Sequence, residues 1–180
     1  MISNRPLLHI MHWFKFVLFL LTVLLSSNIL ALSTDREQPL KIESDKATID
    51  HAKGIAIYEG NVIITQGSIR INASVVTINY TQSIEKVVAD GKSAQFKQRL
   101  DQGDDIKAKA KQMEYNALEN MLYLRNNAEL RKVRRGKNVS ISKAPRIVYD
   151  TQRGIIKADQ GKTKSGRTTV IIYPQSSSKK

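Results

Sequence analysis

The chain repeats a short alternating pattern of apolar residues. Ile71-x-Ala73 followed by Ile78-x-Tyr80 recurs 35 residues later as Ile106-x-Ala108 followed by Met113-x-Tyr115, and the end of the unit returns as Ile147-x-Tyr149. Because successive side chains of a β-strand point to opposite faces, each copy places its aliphatic residues and its tyrosine on one side. The pattern therefore predicts strands with one apolar face.

Turn residues separate these strands every 8 to 12 residues from Leu40 onward. Examples are Glu59-Gly60-Asn61, Asp90-Gly91-Lys92 and Arg135-Gly136-Lys137. This spacing is typical of an all-β sandwich, barrel or jelly roll and argues against βαβ units. At roughly ten residues per strand and turn, it predicts about fourteen to sixteen strands in one domain.

One stretch, residues 107–124, is ambiguous because it contains good helix formers. The alternation of Ile106, Ala108 and Ala110 favours a strand, with the side chains of three lysines on its opposite face. These lysines are Lys107, Lys109 and Lys111. A second basic cluster spans residues 131–137. Such faces are either solvated outer surfaces or places that meet phosphate groups.

The first 31 residues have the composition of an export signal. A basic start is followed by the apolar run Phe16 to Leu25 and by a region that resembles a cleavage site, Ser26 to Ala31. We expect the mature chain to begin near Leu32. The competing interpretation is an uncleaved anchor, since Phe16 to Leu32 is at the short limit for crossing a bilayer.

Charge and cysteine content narrow the class of protein further. The chain carries a net charge of +13, and removal of the two basic residues of the signal leaves +11. This excess predicts an anionic partner such as nucleic acid, a membrane surface or a phosphorylated lipid. The chain has no cysteine, so disulfides and thiolate metal sites are excluded. Nucleic-acid binding is the less favoured choice, because aromatic platforms usually accompany the charge.

No group of residues forms an enzyme motif. His51 is the one histidine after the signal, and a lone histidine in a turn is usually a solvated polar residue. Asp101, Asp104 and Asp105 lack the spacing of a calcium loop and fit a turn. The sequence therefore predicts no catalytic residue, no metal site and no cofactor.

Two stretches resemble a known family. Gln38 to Asp45 and Gly60 to Ala73 are similar to the signature stretches of the OstA-like family, and the likeness continues through Gln112 to Tyr115 and Asn127 to Leu130. Within this family the chain most resembles the periplasmic bridge that transports lipopolysaccharide. The resemblance implies an open, twisted β-jellyroll of about sixteen antiparallel strands whose interior holds lipid A acyl chains.

The resemblance also implies partners and sites. We expect units that stack head to tail between an inner-membrane LptC-like protein and an outer-membrane LptD-like protein, with lipopolysaccharide as cargo and no nucleic acid. The inward residues expected to contact acyl chains are Ile42, Ile49, Ile64, Ile71, Ile78, Phe96, Tyr115 and Leu130. The strand residues expected at the joining edges are Leu40, Ile42, Val170 and Ile172.

The predicted domains are a signal peptide at 1–31, a flexible segment at 32–39, the OstA-like β-jellyroll at 40–173 and a disordered basic tail at 174–180. Two residues depart from the expected pattern. Asn126 stands where the second repeat should have glycine, and Pro145 interrupts a predicted strand, which suits only an edge or a bulge. An inner-membrane-anchored relative of the LptC type is the alternative within the family.

Overall fold

The computed structural model describes residues 34–81, 84–100, 102–161 and 166–174. The predicted signal at 1–31 and residues 175–180 of the predicted tail lie outside the described residues. No helix among the described residues is long and apolar enough to cross a membrane.

The described residues form ten β-strands and one short helical turn. The turn, α1, spans Thr34–Glu37. The strands are β1 (Lys41–Glu43), β2 (Lys46–Asp50), β3 (Ile55–Gln66), β4 (Ile69–Tyr80), β5 (Ile84–Arg99), β6 (Asp104–Asn116), β7 (Met121–Arg134), β8 (Lys137–Asp150), β9 (Ile156–Asp159) and β10 (Thr169–Ile172). The all-β prediction is confirmed, and the ambiguous stretch 107–124 lies in β6, β7 and the turn between them.

The ten strands form one antiparallel sheet in which each strand from β2 to β8 pairs with the next strand in the chain. The order is β1-β3-β4-β5-β6-β7-β8-β10, with β2 paired to β3 and β9 paired to β8. Short β1 and β2 therefore share one edge, and short β9 and β10 share the other. Within the described residues β1 and β10 do not pair with each other, so the sheet stays open.

An irregularity in strand pairing divides each of the six long strands, β3 to β8, into two arms. The pairing shifts lie at Glu59/Val62, Asn72/Val75, Asp90/Ala94, Lys109/Gln112 and Arg125/Ala128. We call the part of the sheet that contains β1 and β10 arm A, and the part that contains β2 and β9 arm B. Counting the arms of the long strands separately gives sixteen segments among the described residues, in line with the predicted number.

The extra residues at these shifts keep apolar side chains on one side of the sheet. In β6 the buried residues are Ile106, Ala108 and Ala110 in arm A and then Met113 and Tyr115 in arm B. A strictly alternating strand would place these two groups on opposite faces, but a bulge restores the same face. Residues of both arms join a single buried cluster, so the sheet folds over on itself around one core.

The two departures from the repeat pattern both lie at one bulge. Asn126 and Asn127 in β7 have φ angles of 63° and stand opposite Pro145 in β8. Asparagine tolerates this left-handed conformation better than most residues, so Asn126 replaces the expected glycine. Pro145 lacks an N–H group, and it lies where the hydrogen-bond ladder is already interrupted. The prediction that Pro145 suits a bulge is confirmed.

The chain before β1 contacts the β3–β4 turn. Asp35 in α1 accepts hydrogen bonds from the backbone N–H of Ser68 at 2.6 Å and from its hydroxyl at 2.7 Å. Part of the segment predicted to be flexible is therefore a helical turn held against the sheet.

Candidate functional site

An apolar row crosses arm A from one edge of the sheet to the other. Directly opposed residues on neighbouring strands share a face, so the register of the sheet defines the row. It connects Ile42, Ile64, Ile71, Phe96, Ala108, Leu130, Ser142 and Val170. We call this set the A row. Its interior members are buried, and Val170 at the β10 edge is 56% exposed.

A matching row crosses arm B. It connects Ile49, Ala56, Ile78, Val87, Tyr115, Leu122, Tyr149 and Ile156, one residue from each strand from β2 to β9. We call this set the B row. Its six interior members are buried in the same cluster as the A row, so the two rows face one interior. Ile49 at the β2 edge is 50% exposed.

All eight residues predicted to contact acyl chains belong to these two rows. Five lie in the A row and three, Ile49, Ile78 and Tyr115, lie in the B row. Six of the eight are in the buried cluster, Ile42 packs against it, and Ile49 lies outside it at the edge. The structure thus brings the set together on one side of the sheet, divided between two arms.

The prediction missed several members of the rows. Val87 and Leu122 of the B row have no counterpart in the repeated motif, and only pairing identifies them. Tyr149 was detectable, because Ile147-x-Tyr149 repeats the end of the motif. It is fully buried near the end of β8, in arm B.

The interior opens into an apolar cavity of about 320 Å³ between the arms. Leu40, Ile64 and Ile71 line it from arm A, and Val87 and Tyr115 line it from arm B. Its volume is within the range of about 300–1,000 Å³ that is usual for small-molecule sites. Aliphatic walls of this kind shelter apolar groups without directional bonds, so an apolar ligand can slide along them.

Four cations form a row on the opposite, outer face of arm A. Arg70, Lys97, Lys107 and Arg131 are directly opposed on β4, β5, β6 and β7. We call them the basic row. Like charges in directly opposed positions are destabilising, so this arrangement favours anions nearby. The alternation in β6 also confirms the predicted outward orientation of the lysines, since Lys107, Lys109 and Lys111 are exposed.

Glu129 partly neutralises the neighbouring charges. Arg131 donates a hydrogen bond to it, and the ammonium groups of Lys109 and Lys143 lie at 3.8 and 3.4 Å from its carboxylate. Burial opposes ionisation of Glu129, but this hydrogen bond and the nearby positive charges outweigh it and hold its pKa below the usual value. Asp105 is similarly paired with Arg99 at 2.9 Å.

The residues predicted at the joining edges lie on or beside the outermost strands of arm A. Ile42 is on β1, with Leu40 just before that strand, and both pack against the core. Val170 and Ile172 are on β10 and are 56% and 76% exposed. The outer sides of β1 and β10 have no strand partner within the described residues.

The family model and the known proteins that match this chain agree with each other. Residues 41–155 match the family described as LptA/(LptD N-terminal domain) LPS transport protein. The chain is 40% identical over 166 residues to the lipopolysaccharide export system protein LptA of Haemophilus influenzae, covering 88% of this chain and 92% of that protein. It is 33% identical to LptH of Pseudomonas aeruginosa, covering 88% and 93%.

A solved structure shows the same fold. The crystal structure of P. aeruginosa LptH, described as the LptA homologous periplasmic component of the lipopolysaccharide transport device, superposes with a TM-score of 0.70 at 31% identity. The match covers 78% of this chain and 99% of that one.

Proposed function

The chain belongs to the family of LptA and LptD N-terminal-domain lipopolysaccharide transport proteins, and on this basis we propose that its interior shields lipid A acyl chains in the periplasm. The general role, lipopolysaccharide transport, follows from the family, which is not a class of enzymes. The periplasmic location rests on the likeness to the periplasmic component LptH and on the predicted export signal.

Such a protein must offset the large unfavourable free energy of an acyl chain in water. Each buried methylene is worth about 0.8 kcal/mol, so a twelve-carbon chain in water carries an unfavourable free energy on the order of 10 kcal/mol. A carrier must replace water along the length of the chain, and it must do so without bonds that would stop the chain from moving.

The observation that carries the proposal is the continuity of the A row and the B row. Each row runs through all its strands to both edges of the open sheet, and each ends on short edge strands. Apart from Ser142 of the A row, every side chain that an acyl chain would meet along these rows is aliphatic or aromatic. A closed enzyme pocket would not reach the edges in this way.

The same geometry supports assembly of several molecules. Pairing of a β9–β10 edge with the β1–β2 edge of a second copy would join the rows into one continuous path, an example of β-augmentation. We propose that the chain associates head to tail in this way, and that its outer copies meet LptC-like and LptD-like partners through the same edges.

Photo-crosslinking in cells tests the proposal. A photo-reactive residue at position 71 in the A row should label lipopolysaccharide, whereas the same residue at position 70 should label it several-fold less. The two positions are neighbours on β4 and point to opposite faces, since Ile71 is 3% exposed and Arg70 is exposed. Tyr115 and Lys107 form a second matched pair on β6.

Equal labelling from both faces would overturn the assignment of the interior. Protection of the basic row by an oligonucleotide, without labelling by lipopolysaccharide at position 71, would favour nucleic-acid binding instead.

A further inference from the structure

A second cavity, of about 340 Å³, lies between the arms and differs from the first in its chemistry. Gln98 of β5 lines it from arm A, and Tyr149 of β8 lines it from arm B. Both side chains are buried, with 6% and 0% of their surfaces exposed. The cavity therefore has an amide and a phenol contributed by opposite walls of the interior.

Neither polar group is paired within the part of the chain that the structure describes. The side-chain oxygen Oε1 of Gln98 and the hydroxyl of Tyr149 have no hydrogen-bond partner there. A buried polar group without a partner destabilises a fold, so such groups are uncommon and often serve a ligand. Burial and the charge of Asp150 raise the pKa of Tyr149 to about 12, so its hydroxyl keeps its proton at neutral pH and can donate.

The two groups require a particular kind of ligand. Tyr149 offers a donor and Gln98 offers an acceptor, and a hydroxyl group is the simplest group that satisfies both at once. Leu100, Ile106 and Ile156 add apolar side chains to a lining that also contains Gln102, Lys132 and the polar residues 151–153. A hydroxyl borne on an alkyl chain matches this combination of polar and apolar contacts.

An anionic ligand fits less well. The acceptor oxygen of Gln98 repels a carboxylate or phosphate oxygen. The nearby cations are already paired, since Lys132 lies 3.0 Å from Asp104 and Arg153 lies 3.9 Å from Asp150.

We propose that Gln98 and Tyr149 bind the hydroxyl group of a hydroxylated alkyl chain, which donates to Gln98 Oε1 and accepts from the Tyr149 hydroxyl. This inference rests on the proposed function, because it requires an alkyl chain in the interior. It adds a position of chemical selectivity to two rows of mostly apolar side chains.

The test compares the affinity of the purified chain for tetradecanoic acid and for its monohydroxy derivatives, with the hydroxyl at carbon 2, 3 or 12. One derivative should bind about five- to tenfold more tightly than the plain acid, the gain expected for one buried hydrogen-bonded group. Gln98→Leu and Tyr149→Phe should each remove this preference, so that each variant binds the plain acid and the hydroxylated acid with equal affinity.

Matched controls and a stability measurement separate this role from a structural one. Gln95→Leu changes an exposed glutamine of the same strand, and Tyr123→Phe changes a tyrosine whose hydroxyl donates to Glu119 at 3.1 Å. Both controls should retain the preference. Tyr149→Phe should unfold at the same or a higher temperature than the parent, because it removes an unpaired buried hydroxyl.

The outcomes distinguish the two proposals. Equal binding of the plain acid and every hydroxylated acid by the parent chain would overturn the hydroxyl site and leave the acyl-chain interior standing. A Tyr149→Phe variant that loses stability but keeps the preference would also overturn it. Failure of all the acids to bind would overturn the acyl-chain interior, and the hydroxyl site with it.

Discussion

Asp104 shows how a charged residue is accommodated at the start of a long strand. It is fully buried, and Arg134 donates two hydrogen bonds to its carboxylate at 2.7 and 2.9 Å while Lys132 lies at 3.0 Å. Cations of the chain itself therefore pair with the carboxylate of Asp104. Asp104 and Asp105 lie in β6 and not in the turn predicted for the acidic cluster, and Asp101 lies outside the described residues. The ion pairs of Asp104 also make the stability of the fold sensitive to acid.

Asp104→Asn should destabilise the protein at neutral pH and have little effect in strong acid. The hydrogen bond from Arg134 outweighs the effect of burial and lowers the pKa of Asp104 from 3.8 to about 2. A carboxyl with a depressed pKa contributes stability above its unfolded pKa and loses it as the pH falls through its folded pKa. The expected difference is on the order of 2 kcal/mol at pH 7 and disappears between about pH 4 and pH 2.

Urea unfolding of the two proteins at pH 7, 4, 3 and 2 measures this difference. Glu43→Gln is the control, because Glu43 pairs with Lys41 on an exposed surface and contributes little. A difference between Asp104→Asn and the parent that stays constant over this range would refute the explanation.

At the scale of the strand, the bulges determine the architecture. In β3, Gly60 and Asn61 have φ angles of 76° and 46° and stand opposite one residue of β4. In β7, Asn126 and Asn127 stand opposite Pro145 in the same arrangement. Asp45 lies against the bulge in β3. Its backbone N–H donates to the Gly60 carbonyl at 3.0 Å, and its side chain accepts a hydrogen bond from Asn61 at 2.9 Å.

Gly60→Ala should therefore be much more destabilising than Asn126→Gly. A Cβ at position 60 would lie 2.3 Å from Oδ2 of Asp45, and left-handed backbone costs about 1–2 kcal/mol for a residue with a side chain. Asn126 already adopts that conformation, so glycine there should change the unfolding free energy by less than about 1 kcal/mol. Denaturant titration of both variants measures the contrast, and equal losses would contradict it.

At the scale of the molecule, the two open edges of the sheet are the feature that bears on association between molecules. Both rows end at the edges, where Ile49 on β2 and Val170 and Ile172 on β10 are exposed. β10 pairs with residues 140–143 of β8 and leaves its other side without a strand partner among the described residues. An edge of this kind readily accepts a strand from another molecule.

Deletion of residues 168–180 should abolish concentration-dependent self-association and leave a folded, lipid-binding monomer. Most of the interior lies between Ile49 and Leu130, so the deletion removes an edge and not the core. Sedimentation velocity over a concentration series measures the effect. Deletion of residues 175–180 alone, which keeps β10, should leave self-association intact. If the longer deletion still forms the same series of oligomers, β10 is not the joint.

The sequence by itself determined the strand content and the inward residues of each arm. Period-two alternation is a local property, so Ile106, Ala108 and Ala110 could be assigned to one face without knowledge of any other strand. All eight predicted interior residues consequently fall on the two rows.

Only the tertiary structure showed that the two arms bury their apolar residues in the same core. Ile71 and Ile78 differ by an odd number of positions and would lie on opposite faces of a regular strand, yet both are buried in the same core. The bulge between them reverses the alternation, and its position depends on pairing with distant strands. The same long-range pairing brings Gln98 and Tyr149 to one cavity, 51 positions apart in the chain, because no local pattern specifies which arm of one strand faces which arm of another.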